Sequence, residues 1–174
     1  ETYNQSIKKK EYLKKLKVCW NMGLADHGKF ARLKQKLFNI FKFKSLINNT
    51  KYFFSPSNKK NQLLSCRIGI KYNRETVQFQ RNKIHKIFKN KIKMQKLPRY
   101  EYLNEIKNSK YIISPFGWGE ICPRDFETFL YGGILLKPSM DSINTWPNWY
   151  ETNKTYIPFS WDLKNLKEKI DLHT

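Results

Sequence analysis

Residues 112–136 read Ile-Ile-Ser-Pro-Phe-Gly-Trp-Gly-Glu-Ile-Cys-Pro-Arg-Asp-Phe-Glu-Thr-Phe-Leu-Tyr-Gly-Gly-Ile-Leu-Leu. An apolar run ends at Ser114-Pro115, a glycine-bearing loop follows, and Pro123 opens a short helix. Gly132-Gly133 closes that helix, and a second apolar run, Ile134 to Leu136, comes straight after. Strand, glycine loop, helix, strand is the local order of a parallel α/β domain, with a ligand held where strand hands over to helix. Pro123 suits a first helical position because its φ is pre-set and its missing N–H had no partner there anyway. Gly132 suits the residue past the helix end, where positive φ is wanted. The free N–H groups of such a helix attract anions, phosphates above all. Arg124 sits in that first turn, where a cation opposes the helix dipole and calls for an anionic partner.

Glu127 follows Arg124 by three residues, so both leave the helix on one face. Phe126, Phe129 and Leu130 form the opposite stripe, spaced for burial. Two readings of Arg124 and Glu127 stand side by side. One is a solvated i, i+3 ion pair worth roughly 0.2–0.5 kcal/mol. The other has the Arg124 fork on a diphosphate and Glu127 accepting from vicinal sugar hydroxyls. On the second reading, Glu127→Gln leaves stability alone and weakens only donor binding.

The segment resembles the donor-site signature of the C-terminal domain of GT-B glycosyltransferases, the exostosin-like and group 1 branches in particular. The resemblance rests on Ser114-Pro115, Gly117 and Gly119, Arg124-x-x-Glu127, Gly132, and Ile134-Leu135-Leu136. It implies a nucleotide-sugar donor site built from Gly117, Trp118, Gly119, Glu120, Arg124 and Glu127. Arg124 and the Gly117–Gly119 backbone would hold the diphosphate, and Glu127 the ribose or the transferred sugar. Arg124 and Glu127 are the implied catalytic residues. The group 1 pattern has two Glu seven residues apart; here position 119 is Gly and Glu120 is one place off register, so the exostosin-like version is the nearer match.

The flanks extend the same pattern. Arg99 to Asn108 is predicted to be a helix through Tyr102, Leu103 and Ile106, feeding a strand at 111–114. Upstream, Leu63 to Lys71 is predicted as a strand and Glu75 to Lys89 as a helix with Val77, Ile84, Ile87 and Phe88 inward. Downstream, Thr155–Phe159 reads as a strand, with Ser160 or Asp162 capping a helix through Leu163, Leu166 and Ile170. The expected fold is α/β, a Rossmann-like parallel sheet flanked by helices. Residues 63–174 would be the nucleotide-sugar-binding domain, and residues 1–62 the tail of a preceding domain with a basic connecting helix. A complete GT-B enzyme needs two such domains, so 174 residues read as a fragment of one.

The net charge of +20 would ordinarily suggest nucleic acid or an anionic membrane. Lysine supplies 28 of the 34 basic residues, however, and arginine, the better reader of phosphates and bases, only six. Asn and Ile are equally abundant at 16 each, the mark of an AT-rich coding bias, so no specific nucleic acid is expected. Residues 29–51 form a basic amphipathic stretch that could touch a membrane peripherally; packing against the parent enzyme is the preferred reading. Cys19, Cys66 and Cys122 are odd in number and lack C-x-x-C spacing, and His27, His85 and His173 make no ligand pair. No metal and no cofactor is expected, and a reducing, cytoplasmic location fits. Trp146, Trp149 and Tyr150 read as packing rather than as a stacking platform.

The expected function is therefore sugar transfer from a nucleotide-sugar donor to the hydroxyl of a carbohydrate or lipid-linked acceptor. A basic nucleic-acid-binding module and a non-catalytic nucleotide-sugar-binding domain are the alternatives.

Overall fold

The structure is a computed structural model that describes residues 56–172 together with Glu11, Val18, Cys19, Leu33, Leu37 and Ile40. In chain order its elements are β1 (Val18–Cys19), β2 (Gln62–Ser65), α1 (Glu75–Phe88), α2 (Arg99–Asn108), β3 (Ser109–Ile113), α3 (Pro123–Leu130), β4 (Ile134–Pro138), β5 (Thr145–Trp146), β6 (Tyr156–Phe159) and α4 (Leu166–Asp171). Four strands make one sheet in the order β2-β3-β4-β6, every neighbouring pair parallel. Leu64 lies beside Tyr111, Tyr111 beside Ile134, and Leu135 beside Tyr156. Parallel neighbours require crossovers, supplied by α1 and α2 between β2 and β3 and by α3 between β3 and β4. This is the α/β, Rossmann-like architecture.

Both faces of the sheet are covered, which is why its strands read as unbroken apolar runs rather than alternating ones. Tyr111, Ile113, Leu136, Ile157 and Phe159 pack with Ile84 and Phe88 of α1 and Leu166 of α4. On the other face Ile112 meets Leu103 and Ile106 of α2, while Leu135 and Tyr156 pack with Phe129 of α3. Adjacent residues of one strand thus enter different cores, as a period of two dictates.

Helices α1 and α2 and strands β3, β4 and β6 lie where their patterns put them, with α1 one residue shorter than expected. Three details differ. β2 ends at Ser65, not Lys71, because the carbonyls of Arg67 and Gly69 bond to arginine side chains instead of a neighbouring strand. The last helix follows Asn165, whose Oδ1 accepts from the Ser160 N–H and hydroxyl; neither Ser160 nor Asp162 is its cap. Leu163 has φ +63° outside that helix, yet its side chain stays in the core.

On α3, burial falls on Asp125, Phe126, Glu127 and Thr128, whereas Phe129 and Leu130 are only half-buried. The helix packs against both α2 and β4, so its polar residues are enclosed as well as its apolar stripe. Of residues 1–62, β1 pairs with β5 in parallel, and Leu33, Leu37 and Ile40 are helical. The rest of the basic stretch 29–51, and His27 and His173, lie outside the described residues. Among those described, no helix is long and apolar enough to cross a membrane.

Gly133 links α3 to β4 where space runs out. A Cβ there would lie 2.5 Å from Cδ1 of the fully buried Ile112 and 3.2 Å from Cγ2 of Thr128. Gly133→Ala is expected to cost about 1–3 kcal/mol through forced repacking of that contact. Urea denaturation, read as a lowered midpoint at unchanged slope, checks it.

Candidate functional site

Where β2 and β3 end, the chain leaves a cleft of about 1230 Å³. The residues after β2 form one wall, the loop Gly117–Cys122 with the start of α3 another, and the segment joining α1 to α2 a third. Among the described residues, the lining carries nine Lys and Arg side chains and a single carboxylate, Glu127. The carboxyl edge of a parallel sheet is where α/β proteins hold ligands, and this edge is strongly cationic.

The arginines of the lining fall into two pairs. Arg67 forks onto Glu105, with Nε 2.9 Å from one carboxylate oxygen and Nη2 2.5 Å from the other. Arg99 pairs with Glu127 through Nη2. Each of these charges is neutralised within the protein. Among the described residues, neither Arg81 nor Arg124 is bonded to a carboxylate. Arg81, only 4% exposed, donates from Nε to the Phe116 carbonyl (2.8 Å) and from Nη1 to the Gly69 carbonyl (3.1 Å), and it stacks on Tyr72 at 4.4 Å. Arg124 donates from Nη2 to the Arg67 carbonyl (2.6 Å) and from Nε to the Tyr102 hydroxyl (3.3 Å). Burial pushes the Tyr102 phenol up, so it stays protonated and can accept from Arg124 while donating to Glu127 at 2.9 Å.

The solvated ion-pair reading of Arg124 and Glu127 does not describe this geometry. They do not form the i, i+3 ion pair; each turns to its own partners, and Tyr102 bridges them. Glu127 is also not a solvated carboxylate, being 4% exposed with both oxygens bonded. Arg124 escapes the dipole conflict of its first-turn position by reaching a carbonyl beyond β2. Gly117, Trp118 and Gly119 line the cleft with Arg124 and Glu127, but Glu120 is not part of its lining. Trp118 is 74% exposed and held at the mouth by Arg74, which donates to its carbonyl at 2.7 Å and lies over its ring. Trp146, Trp149 and Tyr150 lie away from this lining.

The loop owes its shape to Asp125, whose role the sequence pattern did not reveal. Its carboxylate accepts from the Ser114 hydroxyl (2.5 Å), the Cys122 N–H (3.1 Å) and the Tyr150 hydroxyl (2.6 Å), and pairs with Lys137 Nζ at 3.0 Å. Asp125 and Lys137 are both 0% exposed. Asp125 is the third helical residue after the cap position Cys122, where a carboxylate reaches back to the cap N–H. Burial, then the Asp125 charge, push the Tyr150 phenol far up, so it remains a donor. Spacing could have shown the capping role, but nothing local announces a lysine in the middle of a buried strand as its counter-ion. Arg81 was missed as well, since an arginine between apolar positions of a helix looks like a solvated one.

Cys122 lines the cleft beside Arg81, and burial pushes its thiol up; Cys66 is pushed up to about 12 by the same cause. Neither is an activated nucleophile. Among the described residues, no three His, Cys, Asp or Glu side chains converge on a metal-sized site. No protein-family model matches the chain, and no curated protein matches it in sequence.

Removing Asp125 leaves the Lys137 ammonium sealed and unpaired. Asp125→Ala is expected to cost about 3–5 kcal/mol, and Lys137→Met on top of it to recover part of that loss. Guanidinium unfolding of the single and double variants measures this; additive losses would show that the pair is not coupled. Glu127→Gln, for its part, is expected to lower stability by about 1 kcal/mol rather than leave it unchanged, since the carboxylate holds Tyr102 and the half-exposed Arg99.

Proposed function

We propose that the cleft binds the diphosphate of a nucleotide-activated sugar and that the chain belongs to a GT-B-type glycosyltransferase, acting on a carbohydrate or lipid-linked acceptor hydroxyl. One observation carries this reading: the carboxyl edge of the parallel sheet opens into a cleft with nine Lys and Arg against one carboxylate, and that carboxylate is already paired. The start of α3 lies in the same wall, so the positive end of its dipole adds to the field.

In such a transfer the acceptor hydroxyl oxygen attacks the anomeric carbon, the bond from that carbon to the diphosphate oxygen breaks, and the hydroxyl proton passes to the departing diphosphate or to solvent. The electron pair leaves with the diphosphate, so negative charge grows on the terminal phosphate. Cations already fixed in place stabilise that charge without reorganising, which is where electrostatic catalysis gains most. Arg124, held by Arg67 and Tyr102, and the Gly117–Gly119 loop are the groups we assign to the departing diphosphate. Trp118 offers an exposed indole face for the base or sugar. Glu127 retains lone pairs beyond those facing Arg99 and Tyr102, and these would accept from donor hydroxyls.

A nucleoside diphosphate or its sugar conjugate is expected to raise the melting temperature of the chain. At a hundredfold excess over Kd the stabilisation is about 2.7 kcal/mol, or about 5–10 °C for a chain of this size. Differential scanning fluorimetry with UDP, GDP, ADP and CMP and their sugar conjugates checks it. No shift at millimolar ligand would overturn the reading. Tight binding of oligonucleotides with a steep salt dependence, and none of the mononucleotides, would favour the nucleic-acid alternative.

A further inference from the structure

Arg81 is the one buried cation of the cleft that neither the sequence motif nor the roles above employ. It rises from α1, a different element from Arg124, and its Nη1 reaches the Gly69 carbonyl, two residues along from the Arg67 carbonyl that Arg124 holds. Its Nη2 lies 3.4 Å from where a Cβ on Gly117 would stand, with the Cys122 sulfur 3.5 Å from the same point. A side chain at position 117 would crowd that guanidinium. Two of its nitrogens are anchored on the carbonyls of Phe116 and Gly69, and Tyr72 backs the plane, so the fork is fixed before any ligand arrives.

The charge is uncompensated. Arg67 and Arg99 each have a carboxylate, whereas among the described residues Arg81 and Arg124 meet carbonyls, a hydroxyl and a ring. Burial pulls the Arg81 pKa below its ordinary value, with Tyr72 opposing and the positive charge of Arg124 adding to the fall. In Arg124 burial is outweighed by Tyr102 and the neighbouring thiols, and its pKa is raised. Two guanidiniums lining one cleft, neither bonded to a carboxylate among the described residues, favour an anion that both can reach. A single phosphate is enough for one fork; two forks on two elements match the longer, more highly charged diphosphate.

We propose that Arg81 and Arg124 form a two-sided clamp on the diphosphate, making Arg81 a specificity-determining residue that selects nucleoside diphosphate donors over nucleoside monophosphate ones. This rests on the cleft being a nucleotide-sugar site. The clamp itself is a pyrophosphate-recognising device, whichever base is attached.

Calorimetric titration of the 174-residue chain with UDP, GDP and ADP, their monophosphates and inorganic pyrophosphate tests it. The wild-type chain is expected to bind one diphosphate at least about tenfold more tightly than its monophosphate, because a second charge-assisted contact is made. Arg81→Lys, which keeps the charge and loses the fork, is expected to weaken diphosphate binding about tenfold and monophosphate binding far less. A merely structural role for Arg81 would weaken both alike. Equal wild-type affinity for diphosphate and monophosphate would overturn the clamp whether or not the variant folds. An unchanged ratio in a folded Arg81→Lys chain would also overturn it, leaving the nucleotide site standing. Pyrophosphate binding that depends on Arg81, with no preference for any nucleotide, would keep the clamp and remove the nucleotide-sugar reading. Binding of neither would remove both.

Discussion

Asp125 is a full negative charge sealed from solvent, and much of the architecture around the cleft follows from the need to satisfy it. A carboxylate has about four acceptor directions; this one accepts from the Ser114 hydroxyl, the Cys122 N–H and the Tyr150 hydroxyl. It pairs in charge with the Lys137 ammonium at 3.0 Å, which makes no hydrogen bond of its own among the described residues. Those four groups come from the end of β3, the entry to α3, the segment before β6, and the middle of β4. Meeting one carboxylate forces the strand ends, the loop and the helix start into a single arrangement. A hydrophobic contact could be made in many registers, but a buried ion pair with three further hydrogen bonds is satisfied in very few. Any slip of α3 along the sheet would strand both Asp125 and Lys137, at several kcal/mol.

The same logic, with opposite sign, shapes the cleft. Past Ser65 the chain stops pairing as a strand, and two of its carbonyls turn to accept from arginines. Arg124 and Arg81 therefore help to terminate β2 as well as to line the space beyond it. Each is held by carbonyl dipoles, which orient a guanidinium without cancelling its charge. Arg67 and Arg99 are treated differently, each given a carboxylate of its own. Among the described residues, the protein thus gives two of the cleft's arginines a carboxylate and leaves two without one. That division, rather than the total of basic residues, separates an anion site from a generally basic surface.

Most of the sheet was legible in the sequence, for a simple reason: parallel strands buried on both faces are short apolar runs between turn signals, and Tyr111–Ile113, Ile134–Leu136 and Tyr156–Phe159 are written that way. The boundaries of α3 were equally plain, because Pro123 and Gly132 act through their own backbone preferences and need no distant partner; Gly132 indeed has φ +68°. What sequence could not disclose was pairing across the chain. Glu127 lies three residues from Arg124, and its actual cation is Arg99, 28 residues away. Asp125 finds Lys137 twelve positions on, through a β-strand whose direction only the fold defines. The early end of β2 has the same origin, since the arginines that capture its carbonyls lie on α1 and α3. Local rules gave the elements; the polar contacts that choose among arrangements of those elements are non-local.

The cations of the cleft also differ in what they can contribute. Lys71, Lys89, Lys91, Lys93 and Lys96 are exposed and lie on the rim. Charges there are screened over about 8 Å at physiological salt, so they raise the rate at which an anion arrives more than the strength with which it stays. Arg81 and Arg124 sit deeper, in a medium where a fixed charge acts more strongly and salt reaches it less. The abundant lysine therefore supplies a nonspecific attractive field at little cost. Selectivity falls to the two arginines, whose forks are aligned in advance by Gly69, Phe116, Arg67 and Tyr102. A surface of high positive charge and a site of high specificity can thus coexist in one domain, because the charges that attract and the charges that recognise are held in different dielectric surroundings.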